Sequence, residues 1–299
     1  MSSRTAEGPQ EHDVTIDGRS VRVRDAGDPD GAPIVYFHGT PGSRLDVGFG
    51  DGAATQAGVR VISFDRPGYG RSSPAAYDLE SVARDALQIA TDLGVDRFAA
   101  LGWSGGGPFA LATAAYGGDR VSAVGVAGGL APPQEMPGGT DAFTPEDQRA
   151  LSYLPDDPSG AALAFREANQ GTLQLLLSAR NDDADARWID WMWGQTDPTV
   201  VADPALRTAL RTVLDEGLRQ GPTGVCWDNV AWGGPWGFAL TEVRARAHLW
   251  YGEDDQMVPP ANGRWLAAQL PQAALTSYAD EGHLTPMRHW AEMMRALTA

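Results

Sequence analysis

A lone serine, Ser104, stands in the glycine-rich stretch GWSGG, which fits the pattern G-x-S-x-G. The apolar run FAALGW before it predicts a buried strand, and Pro108 suits the first turn of a following helix. A serine between such a strand and helix sits on a strained bend that lifts its hydroxyl above the carboxyl end of the sheet. Ser104 is therefore the candidate nucleophile. The alternative is a glycine-rich turn whose serine only caps the helix.

A serine hydroxyl needs a base, and His283 is the best placed of the five histidines. It lies in the loop ADEGHLTPM, directly after a predicted strand and so at the same edge of the sheet. An acid must then fix the tautomer of the base and stabilise its charged form. Glu253, Asp254 and Asp255 follow another strand, and spacing does not separate Asp254 from Asp255. Glu135, in a different loop, is a further rival.

Attack on a carbonyl also needs donors for the developing oxyanion. The backbone N–H of Gly105, at the start of the helix, points into the space above the serine. The stretch YFHGTPGSR offers the N–H of Thr40 as a second donor, with Gly39 allowing close approach. His38 in this stretch is interpreted as structural. The stretch FDRPGYGRSS is interpreted as a turn without chemistry.

Alternating strand and helix patterns position these residues. A hairpin is predicted over Asp13–Gly27, and strands then alternate with helices up to residue 129. Only helical patterns follow until about residue 238, after which the alternation resumes. This organisation predicts an α/β fold with a parallel sheet. The core domain comprises residues 1–129 and 239–299, and a helical cap comprises residues 130–238.

Tryptophans are concentrated in the helical insertion, which holds six of the ten. Helical spacing in WIDWMW puts Trp188 and Trp191 on one face and points Trp193 elsewhere. We expect these three, with Trp103 and Gly39, to line a pocket for an apolar or aromatic substrate group. Packing within the cap is the alternative for each tryptophan of the insertion.

Composition excludes several classes of function. The net charge of −16 disfavours nucleic acid and anionic membranes as partners, so a small-molecule substrate is expected. The absence of lysine excludes Schiff-base and Ser–Lys chemistry. The single cysteine, Cys226, cannot form an internal disulfide. No apolar leader or span of about 18 apolar residues is evident, so we expect a soluble cytoplasmic protein. The oligomeric state is not indicated.

Five motifs occur in order along the chain: HGTPG, DRPGYGRS, GWSGGG, GEDDQMVP and EGH. Together they resemble the α/β-hydrolase superfamily, in particular esterase- and lipase-like members with a helical cap. The resemblance implies a mostly parallel eight-stranded sheet with helices on both faces. It implies Ser104 as nucleophile, His283 as base, and the Gly105 and Thr40 amides as the oxyanion hole. The family pattern G-x-x-D before an apolar-Pro segment favours Asp255 as the acid.

The resemblance implies no metal or organic cofactor. Serine at position 104 indicates acyl chemistry, because related dehalogenases and epoxide hydrolases carry aspartate there. We therefore expect a carboxylesterase-like serine hydrolase. Carbon–carbon cleavage or acyl transfer with the same triad, an aminopeptidase like proline iminopeptidase, and a ligand-binding protein without turnover stay open. The HGTPG motif is similar to HGGPG of the iminopeptidases, but their elbow resembles GGSWG.

Overall fold

The protein is described here by a computed structural model that covers residues 8–141, 143–182 and 187–299. Within these residues, eight strands form one sheet in the order β1-β2-β4-β3-β5-β6-β7-β8. β2 pairs antiparallel with both β1 and β4, and the other pairs are parallel. The expected mostly parallel eight-stranded sheet is therefore confirmed. The strands are β1 (Gln10–Ile16), β2 (Arg19–Gly27), β3 (Ala32–Phe37), β4 (Val59–Phe64), β5 (Phe98–Trp103), β6 (Val121–Ala127), β7 (Arg246–Gly252) and β8 (Ala273–Tyr278).

The antiparallel hairpin has the turn that its sequence predicts. Asp17 and Gly18 both have positive φ, +48° and +76°, as a two-residue hairpin turn of the mirror-image type requires. The central strands differ from this amphipathic hairpin, since every residue of β5 is buried. Strands covered on both faces read as continuous apolar runs, which explains the sequence FAALGW.

Helices cover both faces of the sheet. Side chains alternate along β3, so Val35 and Phe37 join one core cluster while Ile34 and Tyr36 join the other. The first cluster includes residues of α2, α3 and α11, and the second includes residues of α1 and α12. These helices are α1 (Asp51–Gln56), α2 (Leu79–Asp92), α3 (Gly107–Gly117), α11 (Ala261–Gln269) and α12 (Thr285–Thr298).

The inserted helical segment, residues 130–238, separates β6 from β7. Its described residues contain helices and no strand, and its helix α10 packs on α5. Its division from the core as a cap domain stays a prediction. The helices are α4 (Pro145–Leu151), α5 (Pro158–Ala168), α6 (Gln170–Asp182), α7 (Arg187–Trp193), α8 (Pro198–Val201), α9 (Pro204–Gly217) and α10 (Thr223–Gly233).

The described residues contain no candidate membrane-spanning helix. None of the helices there has the length and apolar character needed to cross a bilayer.

Candidate active site

Ser104 lies on a strained bend directly after β5. Its φ of +54° falls in the left-handed region, which side chains other than glycine rarely occupy. A side-chain carbon at Gly102 would lie 2.3 Å from the Gly106 carbonyl oxygen, and one at Gly106 would lie 2.2 Å from the Phe37 oxygen. The bend therefore has room only for glycine at both positions, which explains the spacing of the motif.

His283 and Asp255 form a buried hydrogen-bonded pair at the ends of β8 and β7. The distance from His283 Nδ1 to Asp255 Oδ2 is 2.7 Å. The other carboxylate oxygen of Asp255 accepts the backbone N–H groups of Met257 and Val258, each at 2.9 Å. These amides fix the carboxylate, so the imidazole has one orientation relative to it. The Trp103 indole N–H, which donates to the His283 carbonyl at 3.1 Å, holds the loop from the other side.

The rival acids lie elsewhere. Glu253 and Asp254 are exposed, and Glu253 contacts Arg264 instead. Glu135 is also exposed. Among the four candidates from the sequence, the structure places Asp255 against the histidine.

The HGTPG loop, residues 38–42, lies next to the serine bend. A side-chain carbon at Gly105 would lie 3.6 Å from the backbone nitrogen of Thr40, and one at Gly39 would lie 3.6 Å from Ser104 Cβ. The two peptide segments that carry the candidate oxyanion donors therefore adjoin each other and the serine. A side chain at position 105 would displace the Thr40 side chain, because that same carbon would lie 2.3 Å from Thr40 Oγ1.

A fully buried aspartate of the inserted segment, Asp228 on α10, is hydrogen-bonded to this loop. Its Oδ2 accepts the Thr40 hydroxyl at 2.6 Å and Arg66 Nη2 at 2.6 Å. Its Oδ1 accepts Arg66 Nε at 2.8 Å and the Tyr77 hydroxyl at 2.9 Å, and the Tyr69 hydroxyl donates to Oδ2. The side chains of Arg66 and Asp228 have no solvent exposure. A buried carboxylate needs such a complete set of donors.

Arg66 continues this network into the backbone of the HGTPG loop. Its Nη1 donates to the His38 carbonyl at 2.6 Å, and its Nη2 donates to the Gly39 carbonyl at 3.1 Å. Burial and the Arg66 charge hold the pKa of His38 well below its usual value. A neutral His38 can donate from Nδ1 to the Gly39 carbonyl oxygen at 2.8 Å, and its Nε2 can accept the backbone N–H of Arg66 at 3.3 Å. This geometry fits a structural histidine.

A second aspartate of the inserted segment, Asp197, holds the loop that carries His283, the candidate base. Its Oδ1 accepts the N–H of Gly282 at 3.1 Å and that of Leu284 at 3.3 Å. These two residues flank His283. Burial raises the pKa of Asp197 against the opposing effect of its hydrogen bonds. Both aspartates thus connect the helical insertion to loops at the edge of the sheet.

A narrow cavity of about 40 Å³ lies between the sheet edge and the inserted segment. Ser104 and His283 line it, together with Thr40, Gly39 and Trp103. The wall supplied by the inserted segment is apolar, which suits a largely apolar ligand. It includes Leu176, Trp188, Met192, Trp193, Leu210 and Leu214.

The expected pocket position of Trp191 is wrong. Its exposed fraction is 67%, and it does not line the cavity. Trp188 and Trp193 are the pair that meets, with ring centroids 5.7 Å apart. Helical periodicity describes the direction of each Cβ, whereas an indole at the last residue of α7 can extend back across the helix end.

Four residues of the site were not identified from the sequence: Asp46, Arg66, Asp197 and Asp228. The stretch that contains Arg66 was interpreted as a turn without chemistry, yet its arginine holds the HGTPG loop. Arg66 and Asp228 are 162 positions apart, so no local pattern indicates their pairing. Asp46 is buried and lines the cavity. It lies in the short helix Arg44–Gly50, and none of the motifs in the sequence includes it.

Comparisons with known proteins agree with this architecture. The family profile described as alpha/beta hydrolase fold matches residues 32–180. The chain is 26% identical to a non-heme haloperoxidase of Rhodococcus erythropolis over 274 residues, 86% of each protein. It is 27% identical to a 2-hydroxy-6-oxononadienedioate/2-hydroxy-6-oxononatrienedioate hydrolase of Burkholderia vietnamiensis, covering 92% of this chain and 89% of that protein.

A solved esterase structure, EaEST from Exiguobacterium antarcticum, superposes with a TM-score of 0.71 at 20% identity. The match covers 95% of this chain and 97% of the esterase. At this identity the likeness concerns the fold. The family profile and the relatives that span most of its length identify this chain as a member of the α/β-hydrolase superfamily.

Proposed function

We propose that this protein is a serine hydrolase that cleaves the ester bond of a small, largely apolar or aromatic substrate. The observation that carries the proposal is the 2.7 Å hydrogen bond between His283 and Asp255 at a cavity that Ser104 also lines. A serine, a histidine and a fixed carboxylate around one cavity are the parts that acyl transfer needs. The relatives include hydrolases, and the solved structures with the same fold include esterases.

The reaction proceeds through an acyl-enzyme. His283 takes the proton of Ser104 as Oγ attacks the substrate carbonyl carbon, and Asp255 stabilises the resulting imidazolium. The amides of Gly105 and Thr40 donate to the oxyanion, a contribution of about 3–4 kcal/mol per donor in comparable sites. The alcohol leaves with the proton from His283. Water, activated by the same base, then releases the acid and restores the serine hydroxyl.

The inserted segment acts as a cap over this reaction. Its apolar wall, with Trp188 and Trp193, excludes water from the acyl group and selects the substrate. Hydrogen bonds of Asp197 and Asp228 fix the cap to the loop that carries His283 and to the HGTPG loop. A cytoplasmic location stays a prediction from the sequence.

Cleavage of a carbon–carbon bond with the same triad is the second candidate. The Burkholderia vietnamiensis relative, named as a hydrolase of 2-hydroxy-6-oxo dienedioates and trienedioates, spans 92% of this chain. The same serine, histidine and aspartate would serve such a substrate. An assay panel should therefore contain a 2-hydroxy-6-oxo-dienedioate beside simple esters.

Replacing the nucleophile tests the proposal. We expect the wild type to hydrolyse at least one p-nitrophenyl ester of an apolar or aromatic acid, and Ser104→Ala to lower kcat at least about 10³-fold, because no covalent intermediate can form. Ser159→Ala, at an exposed serine of α5, is the matched control and should leave kcat unchanged. Equal activity of the Ser104 variant would refute the assignment.

Replacing each of the two neighbouring acids separately tests which of them is the acid of the triad. Asp255→Asn should lower kcat about 10³- to 10⁴-fold, since the amide no longer stabilises the imidazolium or its tautomer. Asp254→Asn should leave kcat within about twofold of the wild type, because its carboxylate is exposed and does not touch the histidine. The measurement is kcat of both variants from steady-state kinetics at one pH. A larger loss of kcat in Asp254→Asn than in Asp255→Asn would contradict the proposed triad.

The Thr40 hydroxyl tests the connection between the cap and the oxyanion donors. Thr40→Val removes one donor from the Asp228 carboxylate while keeping the side-chain shape, so the loop loses a constraint. We expect kcat to fall about tenfold with KM nearly unchanged. Thr40→Ser keeps the hydroxyl and should restore most of kcat. A valine variant with normal kcat, or one altered only in KM, would show that this hydrogen bond does not position the donor.

A further inference from the structure

Asp46 is an acidic side chain in the wall of an otherwise largely apolar cavity. It belongs to the short 3₁₀ helix Arg44–Gly50 that follows the HGTPG loop, and only 3% of its surface is exposed. It lines the same cavity as Ser104 and His283. The mechanism proposed above gives it no role.

One oxygen of this carboxylate is already used. Asp46 Oδ2 accepts the Gly39 N–H at 2.9 Å and the Tyr36 hydroxyl at 3.3 Å. Through this contact Asp46 supports the loop that lies beside the nucleophile. Gly39 links the Asp46 carboxylate to the nucleophile. Its N–H binds Asp46, and a side-chain carbon at Gly39 would lie 3.6 Å from Ser104 Cβ.

The other oxygen, Oδ1, accepts no hydrogen bond from the described part of the chain. No ion pair within that part involves Asp46 either. The arginine whose charge acts on it, Arg66, already binds Asp228 and the loop carbonyls. Asp46 lines the cavity, and a carboxylate oxygen without a protein donor can accept a hydrogen bond from a bound molecule.

Burial also raises the pKa of Asp46 to about 7, against the effects of the Gly39 N–H, the Tyr36 hydroxyl and the Arg66 charge. The ionised form is therefore incompletely stabilised by the protein alone. A donor from a bound molecule would complete its solvation within the cavity.

We propose that Oδ1 of Asp46 forms a substrate subsite that binds a hydrogen-bond-donating group, a hydroxyl or an ammonium, on an otherwise apolar ester. The proposal rests on the proposed function, since it specifies the substrate class of the same cavity. The apolar wall binds the hydrocarbon part of the substrate, and Asp46 binds the donor on the side of the HGTPG loop.

Asp46→Asn separates this role from support of the loop. The amide oxygen can still accept the Gly39 N–H, while an NH₂ group replaces the free acceptor Oδ1. Loss of loop support would weaken all esters alike. Loss of the subsite would weaken only those esters that carry a donor.

Binding is measured in the Ser104→Ala background, so that intact esters can be titrated by calorimetry. One probe set is phenyl butanoate with its 2- and 3-hydroxy and 2- and 3-amino derivatives. The other set comprises the butanoates of 3-ethylphenol, 3-(hydroxymethyl)phenol and 3-(aminomethyl)phenol. Ser104→Ala is compared with Ser104→Ala/Asp46→Asn, and Ser104→Ala/Asp254→Asn is the control for an exposed acid.

We expect at least one donor-bearing ester to bind Ser104→Ala about tenfold more tightly than its matched apolar ester, and we expect this preference to disappear only with Asp46→Asn. Tighter binding of the amino esters alone would show that Asp46 binds an ammonium group. Tighter binding of both the amino and the hydroxy esters would show that Asp46 also accepts from a neutral hydroxyl. The subsite is overturned if no donor-bearing ester is preferred, or if Asp46→Asn changes all probes equally.

The hydrolase itself is judged separately by turnover of the apolar esters with the wild type. Failure there would refute the proposed function. The binding comparison, which uses a variant without the nucleophile, would still decide the subsite.

Discussion

The buried ion pair between Arg66 and Asp228 is the interaction on which the arrangement of this site depends. Burying two charges is costly, and the cost is offset only when every donor and acceptor finds a partner. Here the carboxylate accepts from the Thr40 hydroxyl and two tyrosine hydroxyls as well as the guanidinium. The guanidinium in turn donates to two carbonyls of the HGTPG loop. Removing one partner from such a pair typically costs about 3–5 kcal/mol.

This pair joins parts of the chain that are distant in sequence. Asp228 comes from the inserted segment, Arg66 from the turn after β4, and Thr40 from the loop after β3. Asp197 makes a second connection from the same segment, to the backbone on both sides of His283. The helical segment therefore supplies a wall of the cavity and also holds two of the loops that surround Ser104. Its packing and the geometry of the site are coupled.

The sequence predicts the parts of this design that depend on local chemistry. The glycines around Ser104, the Asp17-Gly18 turn and the apolar strands follow from steric limits and periodicity that act over a few residues. The resemblance to a known family points to Asp255, which the spacing alone left beside Asp254. Contacts between distant segments are different. Arg66 and Asp228 are 162 positions apart, so no local pattern predicts their pairing. The pocket position of Trp191 was wrong because helical spacing gives the direction of each Cβ and not the place of each ring.

Covalent labelling of Ser104 tests the central claim most directly. The wild-type protein is treated with a fluorophosphonate, digested, and analysed by mass spectrometry for the modified residue. The account predicts one adduct per chain, on Ser104, formed more slowly in Asp255→Asn because the histidine is then a weaker base. A protein that stays unlabelled, or an adduct at another residue while Ser104 is unmodified, would contradict it.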